Sequence, residues 1–339
     1  MPVPYVALDT NIWRSNLLLR TPLGAALLFI LRQSSGRLVF PEVVEAEIKK
    51  LILQVGLEAT AKVSENFHVI EMIVGSRPNV KLPTQKDLEE AVAIRLTELE
   101  RLLLPVATTS EHLLAALRKV MSDAPPNGPG REQFKDSLIW EEILEIEKKT
   151  GDDIYFHFVC NDRDYYEDRD ISKGLAKELR AEVGTHFRIH SDLRKCLESI
   201  REKAAPLDKD DLSKEIAVTV ALKVKQYASE EGMRLGQLTK SSVEGFLTEK
   251  VDKLALAFTL IFGLVHADRV GCIDDAVEVV GEAIYEQREK VVSQIELESI
   301  SLKWRTADGV PRQSRILMAT MVFGGKTTID YQFRERLPI

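Results

Sequence analysis

Four acids in this sequence fall where carboxylate chemistry is done. Asp9 follows the apolar run Val3-Pro4-Tyr5-Val6-Ala7-Leu8, and Asp162 follows the aromatic and β-branched run from Ile154 to Cys160. Glu47 lies one to two turns beyond Pro41, and Asp136 lies shortly after the Pro/Gly-rich stretch 123–130. Carboxylates brought together repel: two unit charges ~4 Å apart interact by ~4 kcal/mol even at an effective dielectric of about 20. Such a cluster persists only when protons or cations neutralise it. An oxygen-only donor set suits a hard cation, Mg2+ or Mn2+. An ion held this way activates water and stabilises charge on a phosphodiester.

The elements around these acids must bring them to one place. The runs at 3–8 and 154–160 read as buried strands, as does Arg37-Leu38-Val39-Phe40. Helices are expected at 22–34, from Pro41 to about 64, at 86–104, 109–121, 132–149, 172–182 and 191–203, with a short strand at 187–189 and irregular chain at 65–85. Strands alternating with helices imply an α/β fold whose parallel sheet is covered on both faces. The carboxyl ends of parallel strands face one crevice. Asp9 and Asp162 then lie at one edge, and helices entered from that edge aim Glu47 and Asp136 into it.

These motifs resemble those of PIN-domain nucleases. Leu8-Asp9-Thr10-Asn11 is similar to the family's opening motif, and the stretch Phe40-Pro41-Glu42-Val43-Val44-Glu45-Ala46-Glu47-Ile48 to its second. Lys135-Asp136-Ser137-Leu138-Ile139 resembles the third, and Phe158-Val159-Cys160-Asn161-Asp162-Arg163-Asp164-Tyr165 the fourth. The likeness covers roughly residues 3–200. It implies a three-layer α/β/α, Rossmann-like sheet and hydrolysis of nucleic acid, most often single-stranded RNA and in some branches DNA. It further implies that Asp9 and Asp136 are core ligands of Mg2+ or Mn2+, that Glu47 and Asp162 complete the site, that Thr10 and Asn11 orient Asp9, and that Asn161 hydrogen-bonds an acid. Glu47 and Asp136 stand 89 residues apart, more than in the smallest members. The helices at 86–121 therefore read as a helical insertion, as in the larger bacterial-type PIN proteins.

Plainer roles compete at each position. Asp9 could be a strand-end turn residue, Glu47 a solvated helix residue with Glu45 as its substitute, and Asp136 a first-turn acid favoured by the helix dipole. Asp162 and Asp164 could pair with Arg163 or Arg169, and Asp164 is the understudy for Asp162. Arg14, Lys135 and Arg163 are candidate phosphate contacts, although each is also an ordinary surface charge. Tyr165 and Tyr166 could stack on bases, whereas Trp13 is expected in the core. The six histidines show no metal-ligand spacing, and His157, inside a strand pattern, reads as a structural histidine.

Composition narrows the classes. Three widely spaced cysteines, Cys160, Cys196 and Cys272, argue against a disulfide framework, and with no basic-then-apolar opening the expected location is cytoplasmic. No run approaches the ~20 apolar residues of a membrane span. Through Lys203 there are 28 basic and 32 acidic residues, and 18 and 21 after it, so neither half is a basic nucleic-acid module. The expected organisation is a PIN-like nuclease domain at 1–203, a linker at 204–211, and an α+β domain at 212–339. In that second domain, helices near 212–230, 240–263 and 272–292 would pack on antiparallel strands at 295–304, 314–322 and 327–334. The expected function is a metal-dependent endoribonuclease, with a bacterial toxin or anti-phage defence effector as its setting, DNA as the alternative substrate, and a homo-oligomer or regulatory protein as a further partner. The other reading is a non-catalytic PIN-like scaffold that binds nucleic acid or proteins.

Overall fold

A computed structural model describes residues 3–76, 81–128, 130, 132–151, 153–167, 170–179, 186–200, 209–266, 275–305, 310–323 and 327–337. The chain divides into two compact units: residues 1–20 with 27–201, and residues 21–26 with 202–339.

The first unit runs β1 (Val3–Leu8), α1 (Thr10–Ser15), α2 (Pro22–Gln33), β2 (Arg37–Pro41), α3 (Glu42–Val74), α4 (Gln85–Leu99), β3 (Leu103–Val106), α5 (Ser110–Met121) and α6 (Phe134–Lys149). It continues through β4 (Ile154–Val159), a 3-10 turn at Arg163–Tyr165, the small hairpin β5 (Tyr166–Glu167) and β6 (Asp170–Ile171), α7 (Lys173–Ala176), β7 (Phe187–His190) and α8 (Leu193–Ile200). Five strands form one parallel sheet in the order β3-β2-β1-β4-β7. The chain places β2 and β3 on one side of β1, then returns to place β4 and β7 on the other. The strand order therefore reverses between β1 and β4, and a crevice opens at their carboxyl ends.

Both faces of this sheet are dry. Leu8, Leu38, Phe40, Phe156 and Phe158 are buried in the strands, and Leu27, Leu31, Ile48 and Trp140 in the helices over them. Trp13 is fully buried, its ring 5.2 Å from that of Phe40, which is the core position its sequence context indicates.

Three local expectations for this unit are corrected. Residues 65–74 are not irregular but the last turns of the 33-residue α3, which ends at Gly75 with φ 78 and its N–H on Glu71 O at 2.7 Å. Those turns are mostly exposed, Met72, Ile73 and Val74 included, so no buried stripe marked them. The stretch at 86–104 holds a helix and then β3, whose run Leu103-Leu104-Pro105-Val106 is too short to show a period; Pro105 is tolerated there because β3 is an edge strand. Of the helix expected at 172–182, the described residues form a single turn, α7, ending at Ala176, and 180–182 lie outside the described residues.

The inserted helices are tied down. α4 opens with a reciprocal cap between Thr84 and Asp87. Arg95 then donates to the carbonyls of Leu18 and Leu19, which sit at φ 57 and 59.

The second unit is α9 (Lys209–Glu230) on a six-stranded antiparallel meander: β8 (Met233–Leu247), β9 (Lys253–His266), β10 (Ala276–Glu286), β11 (Val291–Arg305), β12 (Pro311–Phe323) and β13 (Thr327–Leu337). Leu212, Ile216, Val220, Val224 and Tyr227 line one stripe of α9 and pack with Leu256, Phe258, Leu260, Val279, Ile300 and Leu302. The α+β class holds, and so do the three last strands. The helices expected at 240–263 and 272–292 are strands in the described residues: β8 and β9 with a loop at 248–252, then β10, a turn at 287–290 and the start of β11; residues 272–274 lie outside the described residues. Residues 209–211 open α9 rather than forming a linker, and 204–208 lie outside the described residues.

Gly36 joins α2 to β2 through a bond from its N–H to Leu31 O at 2.8 Å. A methyl group at Gly36 would meet Pro4 O at 2.6 Å and Leu31 Cδ2 at 2.7 Å, and the first of these is backbone of β1. Gly36→Ala should therefore destabilise the protein by about 1–3 kcal/mol. Urea unfolding measures this, and a midpoint equal to wild type would contradict the close approach.

Candidate metal and nucleic-acid site

The register of β1 against β4 builds the site. Leu8 partners Val159, and the next N–H, that of Asp9, donates to Val159 O at 2.9 Å. Asp9 and Cys160 therefore leave the sheet side by side, with Asp162 two residues on. Asp9 caps α1, accepting from Thr10 N at 2.7 Å and from Asn11 Nδ2 at 3.4 Å. Thr10 turns its hydroxyl outward and donates it to Glu47 Oε2 at 2.9 Å. One short segment thus touches acids from two elements.

Glu47 also pairs through Oε1 with the Lys135 ammonium. Its alternative, Glu45, pairs instead with Lys49 at 2.6 Å on the exposed side of α3. Asp136 lies in the first turn of α6. Burial, then the charges of Asp9, Asp162, Glu47 and Asp164 in that order, push its carboxyl up from 3.8 to about 7. Asp9 is raised as well, first by burial, with the Asp162 charge adding to it. Four acids far apart in sequence therefore feel one another's charge.

Asp162 and Asp164 have separable roles. Asp162 accepts from Asp164 N at 3.0 Å, and its charge acts on both Asp9 and Asp136. Asp164 accepts from Gln133 Nε2 and is the weakest of the charges named on Asp136. Arg14, Arg163 and Asn161 are exposed beside the strand ends, and Lys135 is exposed on α6. Tyr165 is buried and donates its hydroxyl to the backbone O of Asp136 at 2.8 Å, so it cannot stack on a base; Tyr166 donates to Cys160 O at 2.6 Å. The sequence reading missed Cys160 at this site: its thiol hydrogen-bonds Asp9 and accepts from Asp162 N at 3.3 Å.

The donor set fits a hard divalent cation. It consists of carboxylate oxygens, and a cation there would offset both the burial and the repulsion that raise Asp136. Among the described residues no three of these acids bring oxygens within 4.8 Å of one another.

Residues 6–165 match the PIN domain family. The N-terminal unit is a PIN domain. PIN domains are generally metal-dependent nucleases, typically using Mg2+, and they bind nucleic acid. Comparison with curated proteins gave no match, and comparison with solved structures gave none. Among the described residues no helix is long and apolar enough to cross a membrane.

Asp136 gives a signed pH dependence. Its carboxyl ionises at about 7 in the fold and near 3.8 in the unfolded chain, so between those values the folded state holds the extra proton. For protein stripped with chelator, this group's contribution is full below ~4, falls as pH rises through about 7, and stays lost above it. Solvent reaches part of the carboxyl and holds the loss to about 1–2 kcal/mol. Asp136→Asn should make stripped protein relatively more stable at about pH 8 than at about pH 5. Urea midpoints at both pH values, for both proteins, read the difference; parallel shifts would refute the assignment.

Proposed function

We propose that the PIN domain is a Mg2+- or Mn2+-dependent endonuclease that hydrolyses phosphodiester bonds in single-stranded RNA, with Asp9, Asp136, Asp162 and Glu47 as its metal-holding acids. The observation that carries this reading is their convergence at the β1/β4 crevice, with Asp136 pushed to about 7 by burial and by its acidic neighbours. A divalent ion bound there would polarise the scissile phosphate and lower the pKa of attacking water.

The protein's own groups supply positioning. The Asp9 cap fixes one carboxylate oxygen on Thr10 N, and the Thr10 hydroxyl sets the Glu47 rotamer. Lys135, ion-paired to Glu47, stands where it can meet a phosphate once an ion takes over the acids. Arg14 and Arg163, exposed at the ends of the same two strands, extend that positive rim. Backbone-directed contacts of this kind suit an unpaired strand. The free, buried thiols of Cys160 and Cys196 suit the reducing cytoplasm. A bacterial toxin or anti-phage effector is the setting we attach to this activity, by analogy of fold.

Full-length protein incubated with labelled single-stranded RNA and single-stranded DNA, with Mn2+ or with chelator, tests the reading. RNA should be cut faster than DNA, and only with metal. Asp9→Asn and Asp136→Asn should each slow cleavage by about 10²-fold or more, and Thr10→Ala by about 10-fold. Metal-independent cleavage, or full activity in both Asn variants, would overturn the site. Well-folded protein that binds RNA but never cuts it would instead make the unit a scaffold.

A further inference from the structure

Behind the crevice, on the other side of β4, the sheet assembles a second group of ligating side chains. His157 of β4 and His190 of β7 project from one face of adjacent parallel strands, because His190 partners Val159 and His157 lies two residues before it. The chain turns at Ser191-Asp192 and α8 folds back over that face, burying Leu193, Cys196 and Leu197. His157 Nδ1 and His190 Nε2 are 3.0 Å apart, with the two rings inclined by 19°. One ligand atom from each of His157, His190 and Cys196 lies within 4.8 Å of the other two. All three side chains are buried, Cys196 completely.

We propose that His157, His190 and Cys196 form a zinc site, independent of the acidic crevice. Two imidazoles and a thiol are a donor set for a borderline-soft transition ion, not for the Mg2+-class ion that carboxylates select. Zn–N bonds of about 2.0–2.1 Å and a Zn–S bond of about 2.3 Å place tetrahedral donors roughly 3.3–3.7 Å apart. The present separations need to change by only a few tenths of an ångström at the histidine pair. Burial pushes both imidazoles down, to about 3 for His157 and about 4 for His190, so both rings are neutral. The facing nitrogen that carries the proton of their hydrogen bond must pass it to its ring's other nitrogen before both can ligate.

The surroundings supply the other requirements of a metal site, an outer carboxylate and an approach. Asp192, whose charge reaches both His190 and Cys196, accepts from Lys195 N at 2.9 Å and from Ser191 Oγ at 2.9 Å. A cavity of about 430 Å³ is lined by Phe187, Ile189, His190, Lys195, Glu198 and Ser199. It gives an ion an approach to His190. Arg188 and Lys195 oppose a cation there, so binding depends on ionising Cys196, whose thiol burial and Asp192 push up; the ion must displace that proton. Zinc bound this way would clamp β4, β7 and α8 together and so brace the strand that carries Asp162.

Chelator-stripped, full-length protein titrated with Co2+, the spectroscopic stand-in for zinc, tests the proposal. The expected result is a thiolate-to-cobalt charge-transfer band with tetrahedral visible absorption, abolished by added Zn2+. Asp136→Asn should retain the band, which separates it from the acidic crevice, and Cys196→Ser should lose it. A folded protein that gives no such band, or a band that survives in Cys196→Ser, overturns the site and leaves a histidine hydrogen bond beside a packed thiol. Should Cys196→Ser fail to fold by circular dichroism, His190→Gln carries the test: zinc retained after dialysis should fall by one equivalent per chain, and unchanged retention overturns the proposal.

Discussion

Like charge confined at the β1/β4 switch is the constraint on which this PIN domain is organised. A parallel sheet sends every strand end to one edge, and reversal of strand order leaves one gap at that edge where two loops diverge. Asp9 and Asp162 occupy the two lips of the gap, and α3 and α6 each deliver one more acid. Burial and, after it, this repulsion lift Asp136 to about 7. Positive charge answers it from two sources: the Lys135 ammonium on Glu47, and the proton that Asp136 retains. Both are exchangeable for a cation, which is what the proposed metal binding requires.

The same sheet separates two kinds of ligand chemistry. At its carboxyl edge the donors are oxygens, partly solvated and mutually repelling. Across β4, on the face covered by α8, the donors are nitrogen and sulfur, buried and neutral. Hard and borderline-soft ions are sorted by those donors without either site excluding the other. β4 belongs to both, with His157 inside it and Asp162 beyond its end, so rigidity acquired at one is available to the other.

Most of the acidic crevice was legible in the sequence because its signals are local: an apolar strand run that stops at an aspartate needs no knowledge of distant pairing. Glu47 against Glu45, and Asp162 against Asp164, were not decided there, since the choice depends on which side of a turn faces Thr10 or Asp136. The histidine and cysteine group was not legible at all. His157 and His190 stand 33 residues apart, and only the β4/β7 register makes them neighbours. In the second unit the decisive pattern was present but masked. Leu254, Leu256, Phe258, Leu260, Phe262 and Leu264 recur at every second position and all are buried, the period of a strand. Alanines and Ile261 between them make the run almost continuously apolar, and such a run reads equally as helix. In β10 the bulge at Gly281 breaks the alternation again.

A site that must bind a cation has to hold its carboxylates without using up their oxygens. Around Asp136 this fold does so by gripping the backbone, whereas Asp9, Glu47 and Asp162 each lend an oxygen to a hydrogen bond. Tyr165 takes the carbonyl of Asp136, and Tyr166 takes the carbonyl of Cys160. The Cys160 sulfur receives the N–H of Asp162, and Asp162 in turn caps the turn that follows it. Each of these contacts fixes a Cα position within the crevice, and none engages a carboxylate oxygen of Asp136. Tyr165, buried and anchored at both ends, therefore matters as much for geometry as any acid does for charge. Burial, then the charges of Cys160 and of the acids, raise its hydroxyl well beyond its ordinary range, so it is a neutral donor. A neutral tyrosine adds no charge to the cluster. That is the physical reason for a buried phenol, rather than another ionisable group, behind the acids.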